Sequence, residues 1–317
     1  MKNIYLNIYK PNLVNLKKAK KNIENNNVIG IPTETVYGLA ANAYSDKAVK
    51  KIFQLKKRPK NNPLIVHYRD LNQLKNDCFL NKDFFLLYKA FSPGPLTFVL
   101  KLKKKSQISK LVTNNKTTLA IRFPNKILLN KLLKIINYPL AAPSANISTK
   151  LSSVKASDVF EEFGNKIKYI LNGGRCNVGV ESTIISLIKK PKILRLGGLE
   201  VFKIKKILKK PILIDINSKK IISPGQSKLH YSPGIPLRIN VKKPKKNEAY
   251  LVLKKRAVKK NLFYLSKNGN LTEATKNLYN VLRQIKKKGY KSIAIEKINN
   301  KGLGKTINDR LRRASKR

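Results

Sequence analysis

Ile31-Pro32-Thr33-Glu34-Thr35-Val36-Tyr37-Gly38-Leu39 is a hydroxyl-rich turn directly after the apolar run Val28 to Ile31, which reads as a short strand. Polar turns at the C-terminal ends of strands are where α/β folds bind their substrates. The same hydroxyls could equally cap a following helix, so the turn alone leaves both readings open. Before it, Leu13, Leu16 and Ile23 recur at helical spacing; after it, Ala48, Val49, Ile52 and Phe53 do so in a helix starting near Ser45 or Asp46. Strand-like runs follow at Leu64 to His67, Leu96 to Leu102, Leu119 to Phe123, Leu140 to Ala142, Ser182 to Ile188 and Ile193 to Leu196, with helical patterns between several of them. Interleaved helices and strands predict an α/β fold, with spacing too irregular for a strict βαβ series.

A helical pattern ends at Lys209-Lys210-Pro211, and Ser223-Pro224-Gly225 and Ser232-Pro233-Gly234-Ile235-Pro236 then break regular structure. Beyond them, strand-like Tyr250 to Leu253, Leu262 to Leu265 and Ser292 to Ile295 alternate with a helical pattern from Thr272 to Lys287. The expected division is a first domain over 1–208, an ordered linker over 209–236 and a small second α/β domain over 237–317.

The chain has 317 residues, 42% of them hydrophobic, enough for one large domain or two ordinary ones each with its own core, and against intrinsic disorder. Its 69 Lys+Arg against 16 Asp+Glu give +53, which excludes an acidic or neutral surface. Such an excess suits a nucleic-acid partner. However, 57 of the cations are Lys, only 12 are Arg, and Asn reaches 34, a bias expected of A/T-rich codons. Most lysines are therefore read as a solvated face, with a minority in a groove facing tRNA or a nucleotide, and the scarce arginines become the informative cations. No long apolar run spans a membrane and the start carries no secretory pattern, so a cytoplasmic protein without membrane contact is expected. Cys78 and Cys176, with no CxxC, read as packing residues.

Lys56-Lys57-Arg58-Pro59 beside Asn61-Asn62-Pro63 offers cations and amides suited to a polyphosphate, although any loop of so lysine-rich a chain can hold two lysines. Arg122 lies in the apolar run Leu119-Ala120-Ile121-Arg122-Phe123, where burial needs an anionic partner. In Ala142-Pro143-Ser144-Ala145-Asn146, small residues let backbone approach a nucleotide while Ser144 and Asn146 supply hydrogen bonds. Gly179-Val180-Glu181-Ser182-Thr183 and Arg195-Leu196-Gly197-Gly198 complete the series. Neither a GxGxxG nor a GxxxxGK[ST] phosphate loop is present.

In this order the segments PTETVYGL (32–39), Lys56-x-Arg58, NPLIVH (62–67), SPGPLTFVL (92–100), AIRFP (120–124), APSAN (142–146), GVESTI (179–184) and RLGG (195–198) resemble the threonylcarbamoyl-AMP synthase family. The likeness extends through His230-Tyr231-Ser232-Pro233 to Gly302-Leu303-Gly304 and Asn308-Asp309-Arg310-Leu311-Arg312-Arg313-Ala314-Ser315, and so covers nearly the whole chain. The departures are Ser232 where the family's linker carries Ala, and Leu196 after Arg195 where a proline is common.

The resemblance implies a twisted mixed-sheet YrdC-like domain followed by a smaller Rossmann-like α/β domain. It implies an enzyme that joins L-threonine, bicarbonate or CO2, and ATP, with Mg2+ on the phosphates, into threonylcarbamoyl-AMP and pyrophosphate. A downstream tRNA threonylcarbamoyl transferase would use the product, and direct contact with tRNA would suit the charge. By the same resemblance Lys56 and Arg58 act on the ATP phosphates, joined on the nucleotide side by Asn62, Thr118, Ser144, Asn146, Ser152 and Arg195. Thr33, His67, Arg122, Ala142 and Ser182 would hold threonine, and Tyr231 would close over the nucleotide. Two other readings accompany this one: a non-catalytic RNA-binding module, and a relative that makes carbamoyl-adenylate from carbamoyl phosphate.

Overall fold

The computed structural model describes residues 6–216, 230–256 and 260–316; the Ser223-Pro224-Gly225 element lies outside them. The hydroxyl-rich turn caps no helix. It leaves the strand Ile29–Ile31 and enters a second strand, Gly38–Asn42, that folds back antiparallel on the first, with Ile31 opposite Gly38. That second strand is Gly-Leu-Ala-Ala-Asn and carries no β-branched residue, so local pattern does not announce it.

These two strands belong to a mixed sheet of eleven among the described residues. From one edge it runs Ile8–Tyr9, Ile170–Leu171, Ile29–Ile31, Gly38–Asn42, Leu140–Ala141, Ile65–His67, Thr118–Arg122, Leu96–Lys101, Thr183–Ser186, Lys192–Arg195 and Leu213–Ile214. At its centre Ile65–His67 and Thr118–Arg122 run parallel, with His67 opposite Arg122, while Leu96–Lys101 runs antiparallel and puts Thr97 opposite Arg122. Two-residue periodicity then sets His67, Ile65, Arg122, Ala120 and Thr97 on one face. On that face Ile65, Val99, Ala120, Ile184 and Leu194 form a small apolar cluster of their own. The helices Asp46–Lys56, Lys82–Phe91 and Ala156–Phe163 bury their apolar stripes in the main core, and Leu13–Glu24 and Ile127–Ile135 in a second one. Cys78 and Cys176 are both buried and free.

A separate four-stranded sheet is wholly parallel, in the order Leu237–Arg238, Ile293–Ile295, Ala249–Lys254, Leu262–Ser266. Its long helix, Leu271–Lys287, is capped by Asn270, whose side chain accepts the Glu273 amide, and buries Ala274, Leu278, Val281, Leu282 and Ile285. The helix Gly304–Ala314 follows the last strand. This smaller unit is Rossmann-like in its parallel, helix-covered sheet. Among the described residues no helix is long and apolar enough to cross a membrane.

Where the sheet meets the 179–184 loop, the chain turns at Gly197. A Cβ there would lie 2.3 Å from the Ser182 carbonyl carbon and 2.4 Å from both the Glu181 oxygen and the Thr183 nitrogen, all backbone atoms that cannot swing aside. Gly289 has φ +83° and a Cβ added to it would meet nothing within 4 Å, so only its left-handed backbone resists substitution. Gly197→Ala is expected to cost about 2 kcal/mol or more through overpacking, and Gly289→Ala about 1 kcal/mol. Thermal melts of the two variants test the order, and equal midpoints would contradict the close approach at Gly197.

Candidate active site

The turn is pinned by its own hydroxyls. Thr33 Oγ1 donates to the Val36 carbonyl at 2.6 Å and accepts the amides of Thr35 at 3.1 Å and Val36 at 3.2 Å. This aims Glu34 and Thr35 at Arg122, whose Nη2 lies 2.6 Å from Glu34 Oε1 and whose Nη1 donates to Thr35 Oγ1 at 2.8 Å. Arg122 Nε donates to the Gly94 carbonyl at 3.2 Å. The buried arginine thus has an internal anion, as burial of a charge requires. His67 stands beside it at the end of its strand; burial and the Arg122 charge push its imidazole well below the usual range, so it is neutral, and its Nδ1 meets no described hydrogen-bond partner.

A second group of cations faces the same space. Arg58 is held rigid by the Asn62 carbonyl at 2.9 Å, Asn62 Oδ1 at 2.5 Å and the Pro63 carbonyl at 2.8 Å. Arg195 donates to the Ser182 carbonyl at 3.0 Å and to Ser182 Oγ at 3.1 Å, and Ser182 Oγ also bonds Thr97 Oγ1 at 2.7 Å. Burial, and for Arg58 the nearby Arg195 charge, work against both cations, a penalty that an anion between them would relieve. Lys56 lies behind this pair, buried, its ammonium donating to the carbonyls of Ser144 at 2.5 Å and Asn146 at 2.6 Å. It ties its helix to the 142–146 loop, and burial followed by the Arg58 charge lowers its proton affinity.

His230 and Tyr231 also line the space. Burial brings the His230 imidazole down to about 3 and pushes the Tyr231 phenol up to about 12. His230 Nδ1 and the Tyr231 hydroxyl are buried without a described partner. Under them sits Glu181, which accepts from Ser152 Oγ at 2.5 Å, from the Tyr279 hydroxyl at 3.0 Å and from Arg310 Nε at 2.9 Å. Burial alone would raise its pKa, but the Arg310 and Arg195 charges and the Ser152 hydroxyl outweigh it and hold the carboxyl near 2.

The resulting cavity, of about 40 Å³, is lined by nine of the residues expected from sequence: Thr33, Arg58, His67, Arg122, Ala142, Ser144, Ser182, Arg195 and Tyr231. Lys56, Asn62, Asn146, Ser152 and Thr118 are outside its lining. The first four of these hold its walls: Lys56 and Asn146 the 142–146 loop, Asn62 the Arg58 fork, and Ser152 the Glu181 carboxylate. Thr118 shares the sheet face of Ala120 and Arg122, at the far end of their strand. Sequence reasoning assigned nothing to Glu34, Thr35, Glu181, His230, Tyr279 or Arg310. Glu34, Thr35, Glu181, His230 and Arg310 lay inside quoted motifs, and the scarcity of arginine that singled out Arg58 applied equally to Arg310.

Residues 21–197 match the family model described as telomere recombination, for the Sua5, YciO and YrdC proteins, and residues 199–316 match the one described as threonylcarbamoyl-AMP synthase, C-terminal domain. The threonylcarbamoyl-AMP synthase of Pyrococcus abyssi is 36% identical, with 92% of each chain covered. That of Bacillus subtilis is 34% identical, over 95% of this chain and 92% of the other. The crystal structure of P. abyssi Sua5 complexed with L-threonine aligns with a TM-score of 0.89 at 33% identity, covering 97% of this chain and 96% of that one. These likenesses run through both sheets and through the loops that build the cavity, and the chain belongs to the threonylcarbamoyl-AMP synthase family.

Proposed function

We propose that this chain condenses L-threonine, bicarbonate or CO2, and ATP into threonylcarbamoyl-AMP and pyrophosphate, the product serving a tRNA threonylcarbamoyl transferase. The observation that carries this reading is one enclosed space faced by two buried cation groups, Arg122 beside His67 and Arg58 beside Arg195. The reaction brings two anions together, an amino-acid carboxylate and a triphosphate. The L-threonine bound by the P. abyssi relative supports the same reading.

Arg122 keeps two N–H groups beyond those given to Gly94, Thr35 and Glu34, enough to take a carboxylate. His67, neutral, offers the amine an acceptor rather than a second cation. Thr33, Ala142 and Ser182 complete the threonine pocket in this reading. The amine nitrogen bonds the carbon of CO2 and releases a proton to water. A carbamate oxygen then attacks the α-phosphorus as the bond to pyrophosphate breaks, a step that depends on alignment and on stabilising the leaving charge. Arg58 and Arg195 supply that charge, Ser144 and the Tyr231 hydroxyl supply donors, and Lys56, Asn62, Asn146 and Ser152 fix the frame, with Thr118 further along the same face. Among the described residues no three His, Cys, Asp or Glu gather as a metal site, and Glu181 is committed to Arg310, so Mg2+ in this reading arrives with the phosphates as part of the substrate.

A cavity of about 40 Å³ holds a few waters and no nucleoside triphosphate, so ATP entry requires His230 and Tyr231 to move. Residues 1–208 are then the catalytic domain, 209–236 the linker bearing this lid, and 237–317 the second domain; the change of sheet between Leu213–Ile214 and Leu237–Arg238 supports that division. A cytoplasmic location suits the substrates, and the basic surface suits direct contact with tRNA.

Pyrophosphate release from ATP and bicarbonate is expected with L-threonine and not with carbamoyl phosphate or without a co-substrate; release driven by carbamoyl phosphate alone would replace this reading with a carbamoyl-adenylate activity. Arg122→Lys keeps a cation for Glu34 but loses the fork. It is expected to raise the KM for threonine about tenfold with little change for ATP, and equal KM values would remove Arg122 from the threonine site. Tyr231→Ala should speed ATP dissociation about tenfold in stopped flow, a loss of about 1.4 kcal/mol, and an unchanged rate would exclude the lid.

A further inference from the structure

The two ends of the cavity treat charge differently. At one end Arg122 has a carboxylate of its own: Glu34, buried like Arg122, brings Oε1 to 2.6 Å from its Nη2 and pairs with no other cation among the described residues. Neither Glu34 oxygen nor Arg122 Nη2 has a described hydrogen-bond partner, so the pair cancels charge more than it makes a directed bond. The Glu34 backbone is fixed, since the Val178 amide donates to its carbonyl at 2.9 Å and Thr33 Oγ1 takes the amides of Thr35 and Val36 just after it. Thr33, Thr35 and Arg122 line the cavity and Glu34 does not, so what Glu34 does to a bound molecule it does through Arg122. At the other end Arg58 is met, among the described residues, by neutral groups alone: the Asn62 and Pro63 carbonyls and Asn62 Oδ1. Its charge is left for a ligand.

The reaction places a polyanion and an amino acid side by side, and both could claim a buried guanidinium. Attraction to a net positive site grows with the charge of the ligand, so an uncompensated Arg122 would favour phosphate groups over the single carboxylate of a zwitterion. With Glu34 beside it, that end is neutral overall and recognises a carboxylate by the geometry of its donors. A phosphate entering there would instead meet the Glu34 charge, and selectivity is built as much by penalising the wrong ligand as by favouring the right one. We propose that Glu34 is a positioning residue that sets the anion selectivity of the threonine end: it cancels the Arg122 charge while leaving the fork in place, and so keeps phosphate groups at the Arg58 end. This deepens the function proposed above and rests on that reading.

The test compares wild type with E34Q, which keeps the size of the side chain and removes its charge. Equilibrium dialysis of labelled L-threonine, with inorganic phosphate as competitor at constant ionic strength, gives the inhibition constant of phosphate against threonine. That constant is expected to fall about tenfold in E34Q, while the KM for ATP stays within about twofold of wild type. A merely structural role would weaken every ligand and would not create affinity for phosphate. A fall of less than about threefold, including a loss of threonine binding with no gain for phosphate, overturns the proposal. If E34Q does not fold, E34D keeps the charge but draws it back by one methylene. Phosphate competition strengthened about twofold or more then supports the role, and anything less overturns it. Absence of threonine-dependent turnover in the wild type would defeat the proposed reaction, whereas the dialysis comparison still decides the role of Glu34.

Discussion

Burying the Glu181 carboxylate is the constraint to which the rest of the molecule is fitted. An isolated charge in that position would cost several kcal/mol, and an incompletely paired one nearly as much. Its partners come from every part of the chain: Ser152 from a loop of the large sheet, Tyr279 and Arg310 from the two helices over the small one. Tyr231, from the segment between the sheets, lies against those same partners. No subset of these elements satisfies the carboxylate alone. Cavity wall, the His230–Tyr231 segment and the second domain are for that reason one packed arrangement, although the two sheets share no strand.

The same accounting explains where the excess positive charge goes. Apart from Asp46, which opens its helix, every acidic residue in the described structure holds a side-chain hydrogen bond or ion pair, so little negative charge remains to balance the surface. Arginine and lysine divide the work. Each described arginine contacts a carboxylate, a carbonyl or a side-chain oxygen, and those at 58, 122, 195, 310 and 313 are buried. Of the described lysines only Lys56 is buried. A planar fork is needed where several oxygens must be met at once, and a flexible ammonium serves where water does the solvating. Among the described residues the lysine charge is thus carried almost wholly outside the core, while the cavity is lined by a few arginine forks.

That division also decided what the sequence made legible. Long amphipathic helices such as Asp46–Lys56 and Leu271–Lys287, and strands rich in β-branched residues such as Thr183–Ser186, carry their periodicity on their face. Gly38–Asn42, built of small residues, and the two-residue strands Ile8–Tyr9 and Ile170–Leu171 carry none, because neighbouring strands rather than local preference make them extended. At the site, arginines in apolar or glycine-bearing runs stood out against the lysine background. The paired carboxylates Glu34 and Glu181 did not, since a partner 88 or 129 residues away leaves no mark on local pattern. The distinction between a residue that lines the cavity and one that braces it, as with Arg58 and Asn62, likewise exists only in three dimensions.

The His230–Tyr231 segment is held by backbone in an unfavourable region. Tyr231 has φ +63° and Thr149, across from it, φ +76°, conformations that bulky and β-branched residues avoid and that persist only where surroundings over-determine them. Here the Ser232 amide donates to the Thr149 carbonyl at 2.8 Å, and Tyr279 and Arg310 hold the Tyr231 ring. The contacts that hold Tyr231 therefore come from the Thr149 loop and from the second domain, while the Tyr231 hydroxyl and His230 Nδ1, on two residues that line the cavity, have no described protein partner. A ligand that met those two groups would stabilise the closed form specifically, and one that ignored them would have to displace the lid against its contacts. Differential stabilisation of one conformer is the only way a ligand can shift such an equilibrium. In the proposed reading, the chemistry of those two groups, an imidazole nitrogen and a phenol, would select which molecules a closed site retains.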